Sequence, residues 1–149
     1  MKKTILTILL CGCLVFLTGC DNKIGKISDI EINNSDISVS IKDGTLTNTG
    51  ATFIIENNSN QTLGYGESYH LEVKNDNSWH ILKTINDAVF IMPLYLLQSN
   101  ESIELHIDWE NFYGSLEFGE YRLIKNGCFV INDEKSDNFY IGIEFTIEW

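Results

Sequence analysis

Cysteine, proline and positive charge are all scarce in this chain. Four cysteines occur, and three of them, Cys11, Cys13 and Cys20, fall in the first twenty residues. Only Cys128 is left for the remainder, so no intrachain disulfide can staple it and packing alone must hold it together. Pro93 is the single proline. No Pro-rich or Gly/Ser-rich linker divides the chain, and no internal repeat is visible. Basic residues number 10 against 21 acidic ones. That balance argues against a nucleic-acid partner, because phosphate binding is built on Lys and Arg. The longest apolar run falls short of the ~20 residues of a spanning helix. H-E-x-x-H, G-x-S-x-G and phosphate-loop patterns are missing, as is C-x-x-C beyond Cys20, so catalytic and zinc chemistry lack their usual spacings.

What is present begins at the N-terminus. Lys2 and Lys3 precede an apolar run, Thr4–Leu17, which ends in Leu17-Thr18-Gly19-Cys20. The order is that of a secretory signal. The tetrad resembles the lipobox of bacterial lipoproteins. The resemblance implies cleavage before Cys20 and a diacylglyceryl group on its thiol, with palmitate-type chains. Two acyl chains suffice for stable anchoring. The expected division is a signal peptide at 1–19, a lipidated tether at 20–35 and a folded domain at 36–149. The expected location is the extracytoplasmic face of the cell membrane, with the lipid at Cys20 as the membrane contact. Asp21 would favour inner-membrane retention in a cell with two membranes.

Lys2 and Lys3 leave with the signal. Eight basic residues then face 21 acidic ones, a formal charge of −13 on 130 residues. Such a charge repels nucleic acid and also argues against the domain lying flat on anionic lipid. One domain of this size can bury its own core.

The domain reads as strands. Ile37, Val39 and Ile41 alternate with Ser38, Ser40 and Lys42, and Asp43-Gly44 ends the run as a turn. Phe53 and Ile55 alternate with Thr52 and Glu56. Tyr69, Leu71 and Val73 alternate with His70, Glu72 and Lys74. Trp79–Leu82 starts a return strand, and Ile103, Leu105, Ile107 and Trp109 form another alternating set. The clearest pattern is the last: Phe139, Ile141, Ile143, Phe145, Ile147 and Trp149 share one face. A strand that long needs a long partner, and Tyr121–Ile131 is the natural one across the turn 132–138. No segment shows helical periodicity. Short strands at intervals of roughly ten residues predict an all-β sandwich.

Leu116-Glu117-Phe118-Gly119-Glu120-Tyr121 enters one of these strands. Leucine, a glycine to permit the turn, then tyrosine two residues on resembles the tyrosine corner of Greek-key sandwiches. The stretch from about Phe53 to Lys125 resembles bacterial immunoglobulin-like domains of small lipoproteins. It carries Ile55-Glu56-Asn57-Asn58-Ser59, Tyr65–Glu72, Trp79, Ile107-Asp108-Trp109, Tyr113-Gly114-Ser115-Leu116 and Gly119-Glu120-Tyr121-Arg122 in that order. The resemblance implies an antiparallel Greek-key sandwich of about seven strands, of binding or spacer type, with no catalytic residue. A Cys…Trp…Cys pin is missing, so antibody-type domains are not the match.

The remaining features suggest little chemistry. His70, His80 and His106 lack metal spacing, and no metal or cofactor set is read from the sequence. Cys128, between Asn126-Gly127 and Phe129-Val130-Ile131, is expected to be a structural thiol. Asp133–Asp137 is expected to be a solvated acidic turn rather than a calcium loop. The apolar run Ala88–Leu97 is expected to close the core as a strand or crossing segment, the alternative being an exposed patch. The expected role is non-enzymatic: a membrane-anchored binding domain with a protein partner. The alternatives are a stress or envelope lipoprotein holding a small ligand between its sheets, or an accessory subunit of a cell-envelope enzyme.

Overall fold

The computed structural model describes residues 23–33, 35–87, 93–132 and 134–148. The signal, the lipobox and Cys20 lie outside these residues, as do Trp149, Asp133 and Ala88–Met92. The described chain is two antiparallel sheets facing each other. The smaller sheet holds β2 (Ile37–Ile41), β3 (Gly50–Asn57) and β7 (Ser102–Asp108), in the order β2-β3-β7. The larger is built on β5 (Ser78–Leu82), β4 (Thr62–Asn75), β8 (Gly119–Ile131) and β10 (Phe139–Ile147), in the order β5-β4-β8-β10. These seven are the expected strands. Three short ones raise the count to ten: β1 (Ile24–Ile27) beside β5, β6 (Tyr95–Leu97) beside β4, and β9 (Glu134–Lys135) beside β8.

Alternation explains the layers. Phe53, Leu71, Leu123, Phe145 and Ile147 point inward from four strands and meet Trp109 and Tyr121 in one buried cluster. Ile37, Ile55, Leu63, Tyr65 and Ile141 fill the other end. Trp109 is fully buried and stacks on Phe145 at 5.6 Å, with its indole N–H donating to the Asn48 carbonyl. β10 pairs with β8 without a break from Phe139 opposite Gly127 to Ile147 opposite Gly119. The long strand thus finds its long partner, shifted toward the start of β8. Beyond Gly127, β8 is paired instead with β9.

Three expectations need correction. One turn of helix, α1 (Glu110–Tyr113), follows β7, where the four residues are too few to show a period. The acidic turn is a small hairpin: Glu134 and Lys135 pair with Ile131 and Val130, and the Phe129 N–H donates to Ser136 Oγ. The supposed tether is part of the fold. β1 adds to the outer edge of β5, and residues 28–33 then cross the outward face of the larger sheet. The domain therefore begins by Lys23, not at residue 36. Isolated isoleucines in a polar segment gave no period, because this stretch binds mostly through its backbone.

Ile141 is fully buried between the sheets, whereas Thr146 faces outward from the same strand. Ile141→Asp should unfold the domain, since it buries a carboxylate without a partner. Thr146→Lys should shift the urea midpoint by no more than about 0.5 kcal/mol equivalent. Circular dichroism of the two variants checks the phase of β10.

Candidate interaction sites

The most unusual chemistry lies on the outward face of the larger sheet. Leu71 and Val73 point into the core, so Glu72 between them must point out. Yet Glu72 is fully buried, and Arg122, opposite it on β8, is nearly so. Both nitrogens Nε and Nη2 of Arg122 lie 2.6 Å from Glu72 Oε2. Glu72 Oε1 accepts from Ser28 Oγ at 2.6 Å and sits 3.2 Å from His70 Nε2. Arg122 also donates to the Ile30 carbonyl at 3.1 Å, and its guanidinium stacks over Trp79 at 4.8 Å. Burial pushes the Glu72 carboxyl up. The hydrogen bonds from His70, Ser28 and Arg122 more than offset that, and it titrates below its ordinary range.

The cover is the strap 28–33. Its two ends are tied by backbone bonds, Ser28 N–H to the Trp79 carbonyl and Asn33 N–H to the Tyr140 carbonyl, both 2.8 Å. Between them Ile32 rests beside Ile124 above Gly142. A side chain at 142 would strike the Leu123 carbonyl and crowd Ile32, so glycine there lets the strap lie flat. Its signal in the sequence was one glycine on the polar side of an otherwise bulky strand.

A second feature is a cleft of about 280 Å³ between the sheets, walled by Tyr65, Tyr69, Tyr95, Leu105 and Phe112. Tyr95 donates to Glu67 at 2.7 Å, and its ring lies 5.6 Å from that of Tyr65. Lys125 reaches the same region but its ammonium is spent on the carbonyls of Gly66, Glu67 and Ser68, at 2.9, 3.2 and 3.2 Å. Desolvation lowers its pKa to about 8. Three donors on three carbonyls hold the irregular stretch of β4 between Tyr65 and Tyr69, which is a structural duty.

The corner residues are placed as follows. Leu116 and Tyr121 are buried, and the Tyr121 hydroxyl donates to the Glu117 carbonyl at 3.1 Å, four residues upstream. The ring stacks on Phe145 at 5.9 Å. Gly119 is not the turn residue. It opens β8 in extended backbone against the Tyr121 ring, while the left-handed glycine of this corner is Gly114, at φ 70°.

The other singled-out residues are dispersed. His70 faces Glu72, His80 lies 3.2 Å from the Gly25 carbonyl, and His106 lies 3.3 Å from Thr52 Oγ1. No three His, Cys, Asp or Glu side chains converge as a metal set among the described residues. Cys128 is a buried free thiol. The apolar run splits: Leu97 enters the core, but Tyr95 and Leu96 on the edge strand β6 are exposed, as is Leu94 just before it. For these three the core reading is wrong, because β6 is only three residues long and pairs at the rim.

A family model described as bacterial Ig-like domain matches residues 33–146. The chain belongs to this family. The match extends beyond the 53–125 stretch that carries the resemblance in sequence. The order β2-β3-β7 against β5-β4-β8-β10 is the sandwich of an Ig-like domain. Ig-like domains of this kind are interaction modules and generally non-catalytic. No curated protein matches the chain. In this Ig-like domain the strap lies almost wholly ahead of the family match, while the ion pair that it covers, Glu72–Arg122, lies within it.

Arg122→Met should cost about 3–5 kcal/mol, because it strands the Glu72 carboxylate in the interior. The double variant Glu72→Leu, Arg122→Met should recover most of that in urea denaturation. The carboxyl releases its proton at lower pH in the fold than its ordinary 4.5, so its stabilisation is complete above that value. It fades as pH falls through the folded value, and the double variant should show a shallower acid limb. At the corner, Tyr121→Phe should cost about 1 kcal/mol or somewhat more. Tyr140→Phe, on the outward face, should stay within about 0.5 kcal/mol.

Proposed function

We propose that this chain is a lipoprotein held on the extracytoplasmic face of a bacterial membrane, where its Ig-like domain serves as a non-catalytic binding module for a protein partner. The observation that carries this reading is the order of parts. A tetrad resembling a lipobox at 17–20 is followed four residues on by β1, then by the strap 28–33 and an interaction-type sandwich matched over 33–146. The anchor and the fold are therefore contiguous. A domain of −13 charge, free of disulfides, stands on packing alone and is kept soluble by its surface. A second reading, a small ligand held between the sheets, draws support from the tyrosine-walled cleft. That cleft is near the lower bound of ordinary ligand sites, about 300 Å³.

Cys20→Ala removes the thiol that takes lipid. Incorporation of a clickable fatty acid should disappear and the precursor should persist uncleaved. Equal labelling of wild type and variant would end the lipoprotein reading.

A further inference from the structure

The charge of the domain is not evenly spread. Lys42, Lys74 and Arg122 are each ion-paired with a carboxylate, and Lys125 is enclosed by carbonyls. Among the described residues no carboxylate lies within ion-pair distance of Lys23, Lys26, Lys83 or Lys135. Three of these four share one flank. Lys26 is on the edge strand β1, and the Lys83 N–H donates to the Lys23 carbonyl at 2.7 Å. The side chains of Lys23 and Ile85 come together beside Gly114.

The same flank exposes large apolar side chains. Ile27 on β1 is 65% exposed and Ile85 is 53% exposed, the two highest values among the large hydrophobics of the described residues. Lysines interleaved with bare isoleucines suit the headgroup boundary of a bilayer. The ammonium groups meet phosphates, while the aliphatic tips reach the acyl boundary.

Chain length decides what this flank can meet. Only Asp21 and Asn22 separate Cys20 from Lys23. Three peptide steps span about 10 Å at most. That is about one Debye length in dilute salt, so lipid on Cys20 would bring the lysines within electrostatic reach of the headgroups. The strap sets this limit. With β1 paired and Ser28–Asn33 tied to the sheet, three steps separate Cys20 from the described fold, whereas an undocked strap would put sixteen between Cys20 and Asp36.

We propose that the β1–β5 edge, bearing Lys23, Lys26, Ile27, Lys83 and Ile85, is a membrane-contact face that seats the domain on anionic lipid headgroups. The proposal rests on lipidation of Cys20. It reverses the orientation that total charge alone suggests: the acidic bulk faces away from the lipid and the unpaired lysines face it. Each lysine near an anionic surface is worth roughly a fivefold shift in population, so three give on the order of a hundredfold.

The test uses the full-length lipidated protein in vesicles of phosphatidylcholine with about one-third phosphatidylglycerol. A fluorophore is placed through Ile27→Cys on the flank or Asp137→Cys in the loop before β10, across the sheet. Cys128 is buried and Cys20 is acylated on this reading, so neither competes for label. Headgroup spin-labelled lipid should quench the probe at 27 and spare the one at 137. Lys23→Glu, Lys26→Glu and Lys83→Glu together should cut quenching at 27 several-fold while fatty-acid labelling and co-sedimentation stay unchanged. The probe at 27 on protein with its lysines intact should lose quenching likewise in pure phosphatidylcholine or in high salt, which guards against a misfolded variant. Equal quenching at both positions, or quenching at 27 indifferent to lipid charge, would overturn the proposal and leave the lysine edge to a soluble acidic partner. Absence of fatty-acid label on the unmutated chain would overturn the anchor itself, and the proposal with it.

Discussion

A carboxylate buried on the outward face of a sheet must be neutralised where it stands. Glu72 is in that position, and Arg122 supplies the neutralisation. Neither group would be buried without the strap above it, and the strap would have less to hold it without them. Ser28 bonds the carboxylate and the Ile30 carbonyl accepts from the guanidinium. The pair is thus less a source of net stability than a register pin, since buried ion pairs roughly break even against their desolvation. What it fixes is where residues 28–33 lie, and through them where β1 joins the sheet.

That pin has a consequence far from the pair. A segment that could have been a loose leash becomes part of the larger sheet and its cover. The described chain enters the fold at the β1–β5 edge, and there Lys23, Lys26 and Lys83 have no carboxylate within ion-pair distance among the described residues. Lys42 and Lys74, by contrast, are paired to Glu104 and Glu120 on the sandwich faces.

The seven long strands were legible because alternation is a local property. Each of Phe53, Leu71, Ile107 and Phe145 announces its inward face by its neighbours. The tyrosine was legible for a related reason: a corner is made within six residues, and Tyr121 finds its acceptor only four positions back. The role given to Gly119 was not legible, since spacing cannot tell a glycine of the turn from one that opens the strand. The strap escaped for a physical reason too. Its contacts span 44 residues from Ser28 to Glu72 and 92 from Ile30 to Arg122, and half of them are made by backbone. Glu72 and Arg122 themselves read as ordinary members of solvated faces.

By itself the sequence determined the sandwich, its layers and the absence of any staple, because hydrophobic period and cysteine count are read residue by residue. It also carries, within four positions, a tetrad that resembles a lipobox. Only the tertiary structure decided that the presumed tether is bound and that two apparent surface charges are interior. It alone shows which lysines are free. Those facts depend on which residues meet across long loops, and a one-dimensional pattern holds no record of such meetings.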